Sequence, residues 1–148
     1  MTATGLTLCM FGGIALRIDG EPVNISDRVT HRGLMFSDLP NFATVFGYLR
    51  SSWTLRADLV STYICRLFDH MDALNADTVM PRVPKTHGAM PLRPWIDPEN
   101  FNPGYIMRGL DQMPRQGDRQ PWIMTQDYFQ DRDDFPLADL DDGTLVYR

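Results

Sequence analysis

A chain of 148 residues, 43% of them apolar, has the size and composition of one soluble globular domain, or of a domain with a long tail, able to bury roughly 70% of its unfolded surface. A formal net charge of −5 excludes the basic footprint that non-specific nucleic-acid binding needs. Cys9 and Cys65 lie in apolar contexts without metal-ligand spacing, which predicts buried thiols in a reducing compartment rather than a disulfide framework. The run Leu6 to Leu16 is too short for a bilayer and lacks a cationic flank, so a cytoplasmic protein is expected.

Leu6 to Met10 reads as a strand or buried turn, broken by Gly12-Gly13. Ile14 to Ile18 alternates like a strand, and Asp19-Gly20 is a strong two-residue hairpin signal, with Glu21 to Ile25 returning and Gly20 at positive φ. A second strand pair is expected from Gly33 to Phe36 and Phe42 to Phe46, joined by the turn Ser37 to Asn41. After a brief polar connection, Tyr48 to Ser52, the apolar period changes from two to about 3.6. A helix is predicted from Ser52 or Thr54 to about Ala73. Its buried face would carry Ala57, Val60, Ile64, Leu67, Phe68 and Met71, with Arg56, Asp58, Arg66 and Asp69 largely elsewhere. The sum is strand, tight turn, helix: an α/β unit. Such a turn brings unpaired N–H groups and a positive helix end to the carboxyl edge of a sheet, where open α/β folds bind cofactors.

Beyond Met71 the pattern weakens. Asp72 to Asp77 looks like a helix end, and five prolines between Pro81 and Pro98 rule out a regular element there. Gly104 to Leu110 suggests a helical turn or two, stopped by Pro114 and Gly117. The aspartate-rich stretch Asp127 to Asp142 reads as a solvated acidic tail. The chain is thus expected to divide into residues 1–75, short strands feeding one helix, and residues 76–148, an irregular proline-rich arm with an acidic tail. Trp95, Phe101, Tyr105, Trp122 and Tyr128 would anchor the arm, mostly by packing onto the chain's own core.

Candidate chemistry in the residues themselves is thin. Cys65 and His70 are five apart and do not share a helix face well, His31 and His87 lie elsewhere, and the bland reading of each histidine is a surface or capping role. The aspartates from Asp131 to Asp142 do not match a calcium loop, because Gly143 follows an Asp pair and no glutamate closes the motif. No G-x-G-x-x-G, phosphate loop or G-x-S-x-G occurs. No catalytic residue and no metal ligand is assigned.

Several motifs in order carry a resemblance. Thr2-Ala3-Thr4-Gly5-Leu6 resembles the A-T-G motif late in the FAD-binding region of class B flavin monooxygenases, and Val29 to Asn41 resembles that family's approach to its last strand. Gly47-Tyr48, Ser52 to Leu59 and Tyr63 to Leu67 are similar to the Baeyer–Villiger-type subgroup related to the ethionamide-activating enzyme. Phe101 to Tyr105, Leu110-Asp111, Pro114 to Gly117 and Pro121-Trp122 follow in the expected order, so the likeness runs from Thr2 to about Tyr128. It implies the carboxyl-terminal third of such an enzyme, a truncated reading frame or an excised piece. The family's FAD and NADPH fingerprints, its F-x-G-x-x-x-H-x-x-x-W-P signature and an arginine of its flavin site all lie upstream of the A-T-G motif. Met1 stands where the family usually has an aliphatic residue inside a strand.

The resemblance further implies a C-terminal fragment of a Rossmann-like FAD-binding domain, with FAD and NADPH as cofactors of the full-length enzyme and ketones or thioethers as substrates. The helix N-terminus would then face the N1/C2-carbonyl end of the flavin. Trp53, Thr54 and Leu55 would donate backbone N–H groups, Ser52 or Thr54 would cap, and Tyr48 and Trp53 would border the nicotinamide or substrate space. The plainer reading is that Ser52 and Thr54 only cap the helix and Trp53 only packs. A different class also fits: a non-catalytic interaction module that associates with a separate nucleotide-binding chain. The isolated chain is expected to bind no flavin, and its open strand edges invite self-association.

Overall fold

The structure, a computed structural model, describes Gly5, residues 8–85 and residues 90–148. The A-T-G residues Thr2 to Thr4, Leu6 and His87 lie outside the described residues. Among the described residues the chain is α/β, with one main helix and short strands in four separate antiparallel pairs.

Strands β1 (Arg17–Ile18) and β2 (Glu21–Pro22) form the hairpin that Asp19-Gly20 announces. Asp19 and Gly20 sit at φ 51° and 87°, the left-handed pair of a two-residue turn. The strands are shorter than expected, and beyond them the pairing continues only as a bond from Val23 N–H to the Leu16 carbonyl. The stretch before them holds a 3-10 turn at Met10–Gly13.

The next pair corrects the sequence reading. β3 (Thr30–His31) pairs with β4 (Met35–Phe36) around Arg32, Gly33 and Leu34, whereas Gly33–Phe36 had been expected to pair with Phe42–Phe46. Residues 42–46 form no strand. They are held by side chains instead: Phe42 packs on Phe11 and Phe36, Phe46 packs on Trp95, and Thr44 N–H reaches the Leu34 carbonyl. The unit before the main helix is therefore loop and turn, not strand and turn.

Helix α1 (Trp53–Leu74) runs 22 residues and ends where Asn75 turns left-handed at φ 52°. The N–H groups of Asn75 and Ala76 close back on the Asp72 and Met71 carbonyls. Its fully buried stripe is Arg56, Val60, Tyr63, Leu67 and Met71. That is a corrected face: Ala57 and Ile64 are half-buried, and Phe68 is 59% exposed. Cys65 follows Tyr63 by two positions, about 200° around the helix, so its thiol is exposed, as is that of Cys9.

The second half folds back onto the first. β5 (Val79–Pro81) waits for β8 (Leu145–Tyr147), and β6 (Arg93–Pro94) pairs with β7 (Arg115–Gln116). Two short strands thus lie within or beside the proline-rich stretch. Helix α2 (Gly104–Met107) is a single turn, followed by a 3-10 turn at Leu110–Gln112. Helix α3 (Tyr128–Leu137) packs on α1, so this stretch is folded rather than a free tail, while its aspartates other than Asp131 stay at least partly exposed. Asp127 caps α3 by accepting from the N–H groups of Phe129 and Gln130, and Asp131 points into the interior. One buried cluster joins Leu34, Val60, Tyr63, Leu67, Val79, Phe135 and Leu145, and a second joins Trp95, Ile96, Ile106, Met113 and Met124. Among the described residues no helix is long and apolar enough to cross a membrane.

Candidate functional site

The first turn of α1 presents bare N–H groups. Ser52 is the N-cap, yet its side chain accepts no backbone N–H. Its hydroxyl lies 2.8 Å from that of Thr54 instead. No acidic residue stands in the first turn, so nothing in the helix itself offsets the positive end of the dipole. Trp53 is 51% exposed and rests one ring edge on Phe46, with centroids 5.4 Å apart. It also lies over Gly47, where a Cβ would overlap the indole. Glycine there is a requirement of close approach.

Beneath this turn a buried ion pair holds the helix in place. Arg56 is wholly buried and pairs with Asp131 of α3. The same guanidinium donates to the carbonyls of Thr125 and Arg32, both at 2.8 Å, and lies 5.4 Å from the Tyr48 ring centroid. Gly33, at φ 70°, lets the β3–β4 turn approach so closely that a Cβ would meet both Arg56 and Met124. Tyr48 is buried, and its hydroxyl donates to Asp131 at 2.8 Å. Burial pushes the Asp131 carboxyl above its usual range, while the Arg56 charge and the Tyr48 hydroxyl pull against it. Burial likewise raises the Tyr48 phenol, helped by its bond to Asp131.

Beside the helix start opens a cleft of about 840 Å³. Leu49 and Arg50, just ahead of Ser52, form its edge, and Trp95, Ile96, Phe101, Ile123 and Met124 supply apolar surface. The edge is fixed at both sides: Leu49 N–H donates to Gln126 Oε1 at 2.8 Å, and Arg50 donates to the Asn100 carbonyl. Gln116 ties the walls together, donating to the Pro94 and Trp95 carbonyls and accepting from Met124 N–H. Phe46 stacks between Trp53 and Trp95, with centroids 5.4 and 4.7 Å away, so three rings link the helix start to the cleft floor.

Of the residues singled out from sequence, Ser52, Trp53, Thr54 and Leu55 stand together at the helix start. Tyr48 lies below them within the ion-pair network, and neither Tyr48 nor Trp53 lines the cleft. Arg56, Asp131 and the cleft were not foreseen. Arg56 could have been found, since it stands four positions before Val60 and so in phase with Tyr63 and Leu67. The two described histidines share no site: His31 is buried against Thr144 and Trp122, while His70 pairs with Asp141 at the surface. Among the described residues no group of three or more histidines, cysteines or acids could hold a metal.

No family model matches the chain, and no solved structure matches it. Curated relatives do. It is 44% identical over 147 residues, 99% of its length, to the FAD-containing monooxygenase EthA of Mycobacterium tuberculosis, of which it covers 29%. The EthA of Mycolicibacterium smegmatis is 45% identical over 88% of the chain and 26% of the relative. The probable FAD-binding monooxygenase AlmA of Acinetobacter baylyi is 39% identical over 99% and 29%. The chain spans less than a third of these relatives' length. Along nearly all of its own sequence, then, the chain is similar to one portion of the FAD-containing monooxygenases, the relationship its ordered motifs indicated.

Proposed function

We propose that this chain is the carboxyl-terminal portion of an FAD- and NADPH-dependent monooxygenase that oxidises ketones, by Baeyer–Villiger chemistry, or thioethers, in the cytoplasm. The observation that supports a direct role in the flavin site is the bare, acid-free start of α1 beside a ligand-sized cleft. When bound, the flavin supplies oxygen activation with electrons from NADPH, one oxygen atom going to substrate and the other to water. The chain's own contribution is electrostatic and steric. N–H groups of Trp53, Thr54 and Leu55 would offer partial positive charge to the N1/C2-carbonyl edge of the ring, worth about 0.3–1 kcal/mol per dipole end and more when dry. Trp53 would shield that edge, and Tyr48, through its bond to Asp131 and the Arg56–Asp131 pair, would brace the helix start beneath it.

These residues fit one wall of a flavin site. No glycine-rich turn precedes α1 to hold a pyrophosphate, so the phosphates would be held outside this stretch. A dinucleotide held by one wall loses its freedom while gaining few contacts. The purified 148-residue chain therefore carries no flavin, does not consume NADPH, and self-associates through its open strand edges. The test is a chimera in which the chain replaces the matching stretch of EthA. A yellow protein that consumes NADPH is expected, with turnover reduced by Thr54→Pro and Trp53→Ala. A colourless chimera, or stoichiometric flavin on the isolated chain, would sink the proposal.

A further inference from the structure

Helix α1 has two unlike flanks. On one, Tyr63 meets the Phe135 ring, and Arg66 donates to the Phe135 and Ala138 carbonyls, so α3 covers it. Phe68 follows Tyr63 by five positions, about 140° around the helix. On that other flank Trp53 and Phe68 are exposed, and Ala57 and Ile64 are half-buried. The stripe runs about 22 Å from Trp53 to Phe68. Residues 42–46 lie alongside it, touching at Phe46 and Trp53 and facing Ile64 and Phe68 across a groove. Their burial alternates as in a strand: Phe42, Thr44 and Phe46 are half-buried, while Ala43 and Val45 are exposed. Among the described residues, Thr44 is the one member of this segment whose N–H meets a main-chain carbonyl. Its outer edge can therefore accept a further strand.

The chemistry of the face selects its occupant. The groove holds about 260 Å³, less than a small-molecule site usually offers, and apolar surface continues past it onto Val45 and Trp53. Asn41, a polar residue of the lining, is already committed to the Asp77 carbonyl and the Val79 N–H. Such a surface suits apolar protein rather than a polar ligand. We infer that Ala43, Val45, Ile64 and Phe68 form an interface, covered by an apolar, strand-bearing surface from the portion of an FAD-containing monooxygenase outside the matched stretch. That stretch is 29% of EthA, which leaves ample chain to cover the face. The face is also continuous with Trp53 and the start of α1, so a body lying across it reaches the proposed flavin edge. A second copy of this chain seated there would obstruct that approach. The identity of the occupant rests on the monooxygenase reading, but closure of the face needs no flavin.

The experiment is hydroxyl-radical labelling, read residue by residue, of the monomeric 148-residue chain and of its chimera with EthA. Labelling of Phe68 and Val45 should fall by at least about fivefold in the chimera, because the core of an interface excludes water. Tyr63 should stay unlabelled in both proteins, as its burial within the chain requires. Val45→Asp and Phe68→Asp together should lower the unfolding temperature of the chimera by at least about 3 °C more than that of the isolated chain. A chimera that labels at Phe68 and Val45 as freely as the isolated chain would overturn the inference, as would equal shifts in the two proteins. Protection found only in a dimer of the isolated chain would assign the face to a second copy and overturn it too. A yellow chimera with an open face defeats this inference alone. A colourless chimera with a closed face defeats the flavin role and leaves the interface standing.

Discussion

At the residue scale, the buried pair of Arg56 and Asp131 ties α1 to α3 and to the β3–β4 turn. Its guanidinium meets a carboxylate and two carbonyls, so removing one partner leaves an uncompensated charge in a dry site. Arg56→Met or Asp131→Leu alone should therefore destabilise by about 3–5 kcal/mol, whereas the double change should cost far less. Denaturant unfolding of the two single variants and the double variant checks this, and additive losses would refute it. His31 offers a pH test. Its Nε2 is 3.0 Å from Thr144, whose hydroxyl in turn donates to Asp142, so Nε2 carries the proton and the ring is neutral. Burial, and then the adjacent Arg32 charge, lowers its pKa from 6.5 to about 3. Because the folded value lies below the unfolded one, the associated stability is complete above pH 6.5 and is lost as pH falls towards 3. Between pH 7 and pH 5 the loss from this group should be about 2 kcal/mol. The same two-point measurement on His31→Gln should show a clearly smaller loss.

At the scale of the elements, local rules were legible and tertiary ones were not. Asp19-Gly20 and the span of α1 follow from dihedral preference and period, which neighbouring residues settle between themselves. The face of α1 was misjudged because an arginine was placed outward by habit of type. Here Asp131, 75 positions away, compensates the charge. Phe42–Phe46 has a strand's composition, but Phe42 and Phe46 are held by ring contacts with Phe11, Phe36 and Trp95, and Thr44 N–H bonds the Leu34 carbonyl in the β3–β4 turn rather than a strand residue. The cleft could not be read at all: its walls come from loops whose approach depends on the fold as a whole. The corrected face makes its own prediction. Leu67→Ala, at a fully buried position, should cost about 2–5 kcal/mol, and Ile64→Ala, half-buried, distinctly less. Equal losses in thermal or denaturant unfolding would restore the original face.

For the whole molecule, the last elements matter as much as the first. β8 pairs with β5, Leu140 and Leu145 enter the main cluster, and Thr144 reaches His31 across 113 positions. Deleting residues 139–148 should abolish the native fold, since two buried leucines alone are worth about 2–5 kcal/mol each against a total of about 5–15. Loss of the near-ultraviolet circular-dichroism signal would register this, and a truncated chain that still unfolds cooperatively would contradict it.

The convergence on Arg56 also dictates an order of assembly. The helix can form early from its own sequence, but its cationic residue must stay in water until compensating groups arrive. Those groups lie 24, 69 and 75 positions along the chain, and closing loops of that length is slow compared with forming local contacts. The charge thus keeps the helix from collapsing onto whatever apolar surface it meets first. Docking waits for the one arrangement in which the β3–β4 turn and α3 are both in place, so an interaction contributing little net stability makes the wrong packings costly.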